Sequence, residues 1–419
     1  MECDLLGLSD NSLLVVFGLS LAVNAAIVLT KKHHIGRSAR SVDQIAVQSA
    51  HKAPTPRIGG VGIIFGVLVA LLVVMQPQHG SVWWLFAVSL APIFVAGLAE
   101  DTGFDISPTA RLLAAAVSSV MCVVLLGLWV PRADIPGIDL LFAFAPFAIV
   151  FTVFAGSGIC HAFNLIDGVN GLAAGTGVVG AVGLGIIASM SGEAGVAAVA
   201  WYLIAALLGF LVLNYPLGKI FLGDAGAYTV GHVLAWLSIV LLARVDSLST
   251  WAILLVLFWP LADTVLAIYR RQRSGKPAGQ PDRLHYHQLV MRTLEIALLG
   301  RGRRHIANPL TTMVILPLAC LPMLAGVWLW DKPVAAFLVF LVFSMLFFGS
   351  YELGMRFANR LARRTKRAAQ EAKNRTVVAL GSKIAWLQGN ANGHRPLPAS
   401  GRASTRVAVV ESHSPVDAR

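Results

Sequence analysis

Charge is scarce in this sequence. Only 13% of its 419 residues are Asp, Glu, Lys or Arg, where a soluble globular domain carries about a quarter. With 57% hydrophobic residues and a mean hydropathy of +0.73, the bulk of the chain belongs in lipid rather than water. Cysteine is scarce as well. Cys3, Cys122, Cys160 and Cys320 are scattered without metal-type or redox-type spacing, which argues against a disulfide framework and against a zinc site. Acids are outnumbered, 21 against 33 Lys and Arg, for a net charge of +12. Such an excess can signal nucleic acid, but in a membrane protein basic residues gather on the cytoplasmic side. Residues 1–10 carry Glu2 and Asp4 but no basic residue, so the apolar stretch that follows lacks the positive start of a secretory signal peptide. It reads as a retained first span.

About 20 apolar residues cross the bilayer core as a helix. The sequence offers eleven such stretches, near 12–30, 58–76, 81–99, 110–130, 139–160, 171–190, 194–213, 226–243, 249–268, 310–330 and 333–353. The expected fold is therefore all-α and polytopic. Placing the N-terminus outside and the C-terminus in the cytoplasm puts 30 of the 33 basic residues inside and leaves only Arg132, Arg244 and Lys332 outside. That distribution accounts for the charge without nucleic acid. Trp83, Trp84, Trp129, Trp251, Trp328 and Trp330 fall near the expected outer interface, where indoles anchor. Gly171, Gly175, Gly180 and Gly185 suit close helix packing. Residues 1–355 form the membrane domain, and 356–419 a basic cytoplasmic tail, helix-like at first and then rich in Pro, Gly, Ser and Arg, expected to be surface-bound and partly disordered.

The remaining polar sequence falls on one expected face. H-K-A-P-T-P-R-I-G-G (51–60), E-D (100–101), N-L-I-D-G-V-N-G (164–171), N-Y-P-L-G-K-I-F-L-G-D-A-G (214–226) and D-R-L-H-Y-H (282–287) all lie in inner loops. Adjacent carboxylates at a lipid boundary, Glu100 and Asp101, are costly unless hydrated, paired or bound to a cation. They precede Ser107-Pro108, an N-cap and first-turn pair for the next helix. Asp167 and Asp224 each sit in a Gly-containing loop, and hard oxygen ligands of this kind suit Mg²⁺. Lys219 places a cation near Asp224, and Phe221 can stack on a base or serve as an interfacial anchor. His285 and His287 lack a further ligand at zinc spacing and, with Arg283, suit hydrogen bonding to a diphosphate.

Taken together, these motifs resemble the polyprenyl-phosphate N-acetylhexosamine-1-phosphate transferases, glycosyltransferase family 4, over about residues 1–355. The resemblance rests on Lys52 and Arg57 in the P-T-P-R-x-G-G loop, on Glu100 and Asp101 where the usual pair is Asp-Asp, and on Asn164, Asp167 and Asn170. It extends to Gly223 and Asp224 with Phe221, and to Asp282, Arg283, His285 and His287. His161 stands where the family's first motif Asn belongs, and Gln288 replaces a final His. The resemblance implies attack of a polyprenyl (undecaprenyl) phosphate on the β-phosphorus of a UDP-N-acetylhexosamine, with UMP leaving, at the cytoplasmic face of the bacterial inner membrane. The P-T-P-R form favours a short nucleotide sugar. Implied roles are Asp224 and Asn164 for Mg²⁺, with Mn²⁺ as the alternative ion, and Glu100, Asp101 and Asp167 for catalysis. Lys52, Arg57, Asn170, Asn214, Lys219, Phe221, Arg283, His285 and His287 would bind substrate. The implied partners are the nucleotide sugar, the lipid phosphate and membrane lipid, with no nucleic acid; monomer and homodimer stay open.

The rival reading is a transporter with an ion- or proton-coupled acidic site, whose mark would be mid-bilayer acids and broken helices in repeated halves. The acids hug one interface, with Asp263 the exception, about one to two turns from the cytoplasmic end of the ninth expected span, and Arg270 or a neighbouring polar group as its partner.

Overall fold

The structure is a computed structural model that describes residues 10–32, 55–75, 82–274, 285–300 and 302–391. Among them there is no strand. The helices are α1 (Asp10–Leu29), α2 (Gly60–Val69, continued by a wider turn over Ala70–Val74), α3 (Val82–Ser89), α4 (Ala91–Asp101) and α5 (Pro108–Leu126). There follow the short α6 (Asp139–Phe142), α7 (Ala145–Ile166), α8 (Leu172–Met190), α9 (Ala194–Asn214) and α10 (Gly223–Arg244). The last are α11 (Thr250–Val256), α12 (Phe258–Ser274), α13 (Tyr286–Thr293), α14 (Arg304–Trp328) and α15 (Pro333–Ala391).

All eleven apolar stretches contain helix, but they are not eleven equal spans. Among the described residues nine helices are long and apolar enough to cross a bilayer, counting α3 and α4 as one, while Gly60–Val74 is shorter. The stretch expected as a single span at 249–268 is a pair, α11 and α12, bent by 86°. Pro260 explains the break. Its ring nitrogen cannot donate to the Val256 carbonyl four residues back, and the ring would collide with that carbonyl, so α11 stops at Val256.

The chain divides into two units, Met1–Met355 and Arg356–Arg419. In the first, α10 is the axis: every residue from Gly223 to Leu242 is buried, and α7, α4, α8 and α2 pack against it. A helix apolar all round belongs in such an interior. Close approach is made by small residues, as expected for lipid-embedded helices. A Cβ on Gly231 would stand 2.7 Å from the Cα of Cys160, and Gly175, Gly180 and Gly185 meet Leu316, Leu257 and Ala200 respectively. The C-terminal end of α10 is closed by Arg132, whose guanidinium donates to the carbonyls of Leu242, Val245 and Leu248 at 3.3, 3.0 and 2.6 Å. Asp134 holds Arg132 at 3.2 Å. Arg132 thus serves as a cationic helix cap.

The described part of the second unit is helical to Ala391, with Val377, Val378, Leu380 and Trp386 exposed. Residues 392–419 of the expected tail lie outside the described residues.

Candidate functional site

The site is built on the other end of α10. The first N–H groups of a helix have no partner within it, and in an apolar interior they must find acceptors. Here they find carboxylates. The N–H groups of Asp224 and Ala225 donate to Asp101 Oδ1 and Oδ2, each at 2.9 Å, and the Gly223 N–H favours the charged form of Asp167. Gly223 has φ +74°, and a Cβ there would run into the Arg57 carbonyl and the Asp101 carboxylate. Glycine is required on both counts. Asp224, expected in a loop, instead stands in the first turn of α10.

Asp224 is almost enclosed. Its Oδ1 accepts from Asn164 Nδ2 at 3.0 Å, and its Oδ2 pairs with the Arg111 guanidinium. Arg111 enters from the start of α5, where Ser107 caps the helix by accepting from the Ala110 N–H at 3.2 Å and Pro108 fills the first turn. The composition-based reading counted Arg111 only as an inner cation. A signal was nevertheless present, since a lone guanidinium in the first turn of an apolar helix opposes the helix dipole and requires a carboxylate nearby. Arg111 also feels the charge of Glu100. Glu100 Oε2 accepts from the Ile106 N–H at 2.6 Å, tying down the loop between α4 and α5.

Asp167 follows the last residue of α7, outside the spans. Burial pushes its carboxyl up to about 7 from the ordinary 3.8, against the pull of Arg57, while Asp224 adds to the rise. Arg57 is exposed at the rim. Its segment is laid along the loop before α10: the Phe221 N–H donates to the Pro56 carbonyl at 2.8 Å, and the N–H groups of Gly59 and Gly60 donate to the carbonyls of Phe221 and Leu222 at 3.0 and 2.9 Å. Glu100, Asp101, Asn164, Asp167, Asp224 and Arg57 are thus brought to one helix end.

Asn170 and Asn214 hold loops. Asn170 donates through Nδ2 to the Pro216 carbonyl at 3.0 Å, and its backbone N–H donates to Asn308 at 2.8 Å. Asn214 accepts from the Gly171 N–H at 2.6 Å and donates to the Ile220 carbonyl at 2.7 Å. Lys219 is exposed and Phe221 half-buried on the loop so held.

The histidines approach from α13. Asp263 Oδ2 lies 3.5 Å from His285 Nδ1 and 3.2 Å from His287 Nδ1, and its Oδ1 accepts from the Tyr286 N–H at 3.0 Å. Arg270, one of the expected partners of Asp263, donates instead to the Tyr351 hydroxyl at 2.9 Å. With Nδ1 committed to Asp263, His287 turns Nε2 to the 167–170 loop, where a Cβ on Gly168 would stand 3.1 Å from it. Lys52, Asp282 and Arg283 lie outside the described residues.

Among the described residues no three His, Cys, Asp or Glu side chains gather closely enough to cage a metal. The oxygen donors present are the Asp224 carboxylate, its Asn164 neighbour and the Asp167 carboxylate on the same helix end. That chemistry fits Mg²⁺, which takes one or two carboxylates and completes its shell with water and phosphate.

Fold and site together define a polytopic, all-helical membrane enzyme. The glycosyl transferase family 4 profile matches residues 83–242. The chain is 31% identical over 255 residues to a probable undecaprenyl-phosphate N-acetylglucosaminyl 1-phosphate transferase of Bacillus subtilis, covering 60% of this chain and 70% of that one. It is 27% identical over 368 residues, 85% of this chain and 97% of the other, to the undecaprenyl-phosphate alpha-N-acetylglucosaminyl 1-phosphate transferase of Escherichia coli O157:H7. The enzyme of the same name from Yersinia pestis is 29% identical over 256 residues, 60% of this chain and 69% of that one. The chain belongs to glycosyl transferase family 4. The transporter reading is not favoured.

Proposed function

We propose that this protein transfers an N-acetylhexosamine 1-phosphate from a UDP-sugar to undecaprenyl phosphate at the cytoplasmic face of the bacterial inner membrane, starting a lipid-linked envelope polysaccharide. The observation that carries the reading is the convergence of Asp224, Asn164, Asp167, Arg111 and Arg57 at the head of a buried helix, in a chain whose relatives are named for this reaction.

A phosphate oxygen of the lipid attacks the β-phosphorus of the nucleotide sugar, and the bond to the UMP oxygen breaks. Attack of an anion on a diphosphate needs charge compensation more in the transition state than before it. Arg57 and Lys219, exposed at the mouth, meet phosphate first. Arg111 holds the deeper position. Asp224 and Asn164 would hold Mg²⁺, which when bound polarises phosphoryl oxygens as a Lewis acid. Asp101 keeps the head of α10 in place rather than meeting substrate, since both its oxygens accept backbone N–H groups. Asp167, with its pKa near neutrality, suits the uptake of a proton at working pH. His287, oriented by Asp263, offers Nε2 beside the Asp167 loop for a phosphate oxygen.

The test is incubation of purified protein in nanodiscs with undecaprenyl phosphate, Mg²⁺ and a panel of UDP-sugars, reading UMP and the mass of the lipid product. A lipid diphospho-N-acetylhexosamine with stoichiometric UMP is expected. No UMP from any member of the panel would refute the reading. The inward placement of the site is tested separately by reporters fused after residue 360: a cytoplasmic reporter should work and a periplasmic one should not.

A further inference from the structure

His161 is one of three positions, with Glu100 and Gln288, where this chain departs from the family pattern, and the structure places it one helical turn before Asn164 on α7. α7 packs on α10 and runs opposite to it: Asn164 meets Asp224, and one turn further along each helix the His161 ring stands edge-on against Tyr228, centroids 4.9 Å apart. The charges of Asp224 and Arg111 both act on His161. Its Nε2 is buried and has no hydrogen-bond partner in the protein. A buried ring nitrogen without a partner calls for water or an ion, and Asp224, whose charge reaches His161 and whose Oδ1 is held by Asn164 one turn away, is the anion beside it.

We propose that His161 is a ligand of the divalent cation at Asp224 and Asn164, so that this site offers nitrogen as well as oxygen and takes Mn²⁺ in preference to Mg²⁺. The inference rests on the reading of a cation at Asp224. Mg²⁺ takes oxygen donors and dehydrates reluctantly, whereas imidazole shifts a site toward first-row transition metals. An Asn at the same position, as in the family pattern, supplies oxygen only.

The test needs no turnover. Full-length protein in nanodiscs is stripped with chelator, titrated with MnCl₂ and examined by pulsed electron paramagnetic resonance for modulation from a coordinated imidazole ¹⁴N, with Mg²⁺ competition read from the same signal. Wild type should show the modulation. His161→Asn, which restores the family residue, should lose it, and its preference for Mn²⁺ over Mg²⁺ should fall by about tenfold or more, the scale of damage to a metal's immediate surroundings. Bound Mn²⁺ without the modulation in wild type overturns the proposal with no variant needed. Modulation that persists in His161→Asn overturns it too, assigning the nitrogen to another histidine. Mn²⁺ binding unchanged in both His161→Asn and Asp224→Asn would remove the cation from this helix end altogether, refuting the underlying metal reading as well.

Discussion

Asp101→Asn separates holding the site from doing its chemistry. Asp101 accepts two backbone N–H groups at 2.9 Å and is 5% exposed. An amide presents one oxygen and one NH₂ group, so one of the two N–H groups would face a donor. Hydrogen bonds to a charged acceptor contribute about 1.5–3 kcal/mol each, and a buried donor left unmatched costs about 1–3 kcal/mol. Against these stands relief from burying a carboxylate beside Asp224. A net loss of about 2–4 kcal/mol follows, lowering the melting temperature by roughly 5–10 °C at the few degrees per kcal/mol expected of a large domain. Because Asp224 is placed by that helix turn, kcat should fall while the pH dependence of kcat/KM keeps its shape. The assays are thermal unfolding of the purified variant in detergent and UMP release across pH 6–9. An unchanged melting temperature with abolished turnover, or a pH profile that loses one limb, would refute the positioning role and make Asp101 an acid or base.

Asp224→Asn should lower kcat by about a hundredfold or more, as for loss of a principal electrostatic element; near-normal UMP release over a Mg²⁺ titration would remove Asp224 from the metal. Asp167 has a folded pKa raised from 3.8 to about 7, so the folded state binds the extra proton between those values, and its contribution to stability is present at low pH and lost as pH rises through about 7. Asp167→Asn should therefore gain stability relative to wild type between pH 4 and pH 7 in metal-free protein and hold that gain above; parallel melting curves at all pH values would contradict the shift. Arg132→Ala leaves three carbonyls at the far end of α10 without their cation and should destabilise by about 2 kcal/mol or more with KM unaltered; unchanged thermal unfolding would show the cap to be dispensable.

The spans were legible because about 20 consecutive apolar residues admit few other outcomes. The break at Leu257 was not read, although Pro260 was visible, because prolines are tolerated within lipid-embedded helices; α14 contains Pro309, Pro317 and Pro322 without such a bend. The acids of the site were found by their gathering on one side of the membrane. Their partners were not, because pairing depends on which helices lie side by side. Arg111 and Asp224 are 113 residues apart, and Asp263 meets His285 and His287 only because α12 turns away from α11. Asn170, from the family motif, and Asn214, from the polar loop before α10, were expected as substrate ligands, and nothing in the sequence shows that their side chains bond loop backbone.

The occupied head of α10 changes what can hold a phosphate here. Helix N-termini commonly bind phosphates through free N–H groups. In this protein two of the first three are given to Asp101 and the other acts on Asp167, and those carboxylates offset the positive end of the dipole. An incoming diphosphate therefore meets a helix end whose donors are engaged and whose field is largely cancelled. Its attraction must come from the side-chain cations exposed at the mouth, the guanidinium of Arg57 and the ammonium of Lys219. Exposed cations are screened by water and salt, so a phosphate they attract is not held as tightly as by buried donors, which suits a site that must release a lipid product after each transfer.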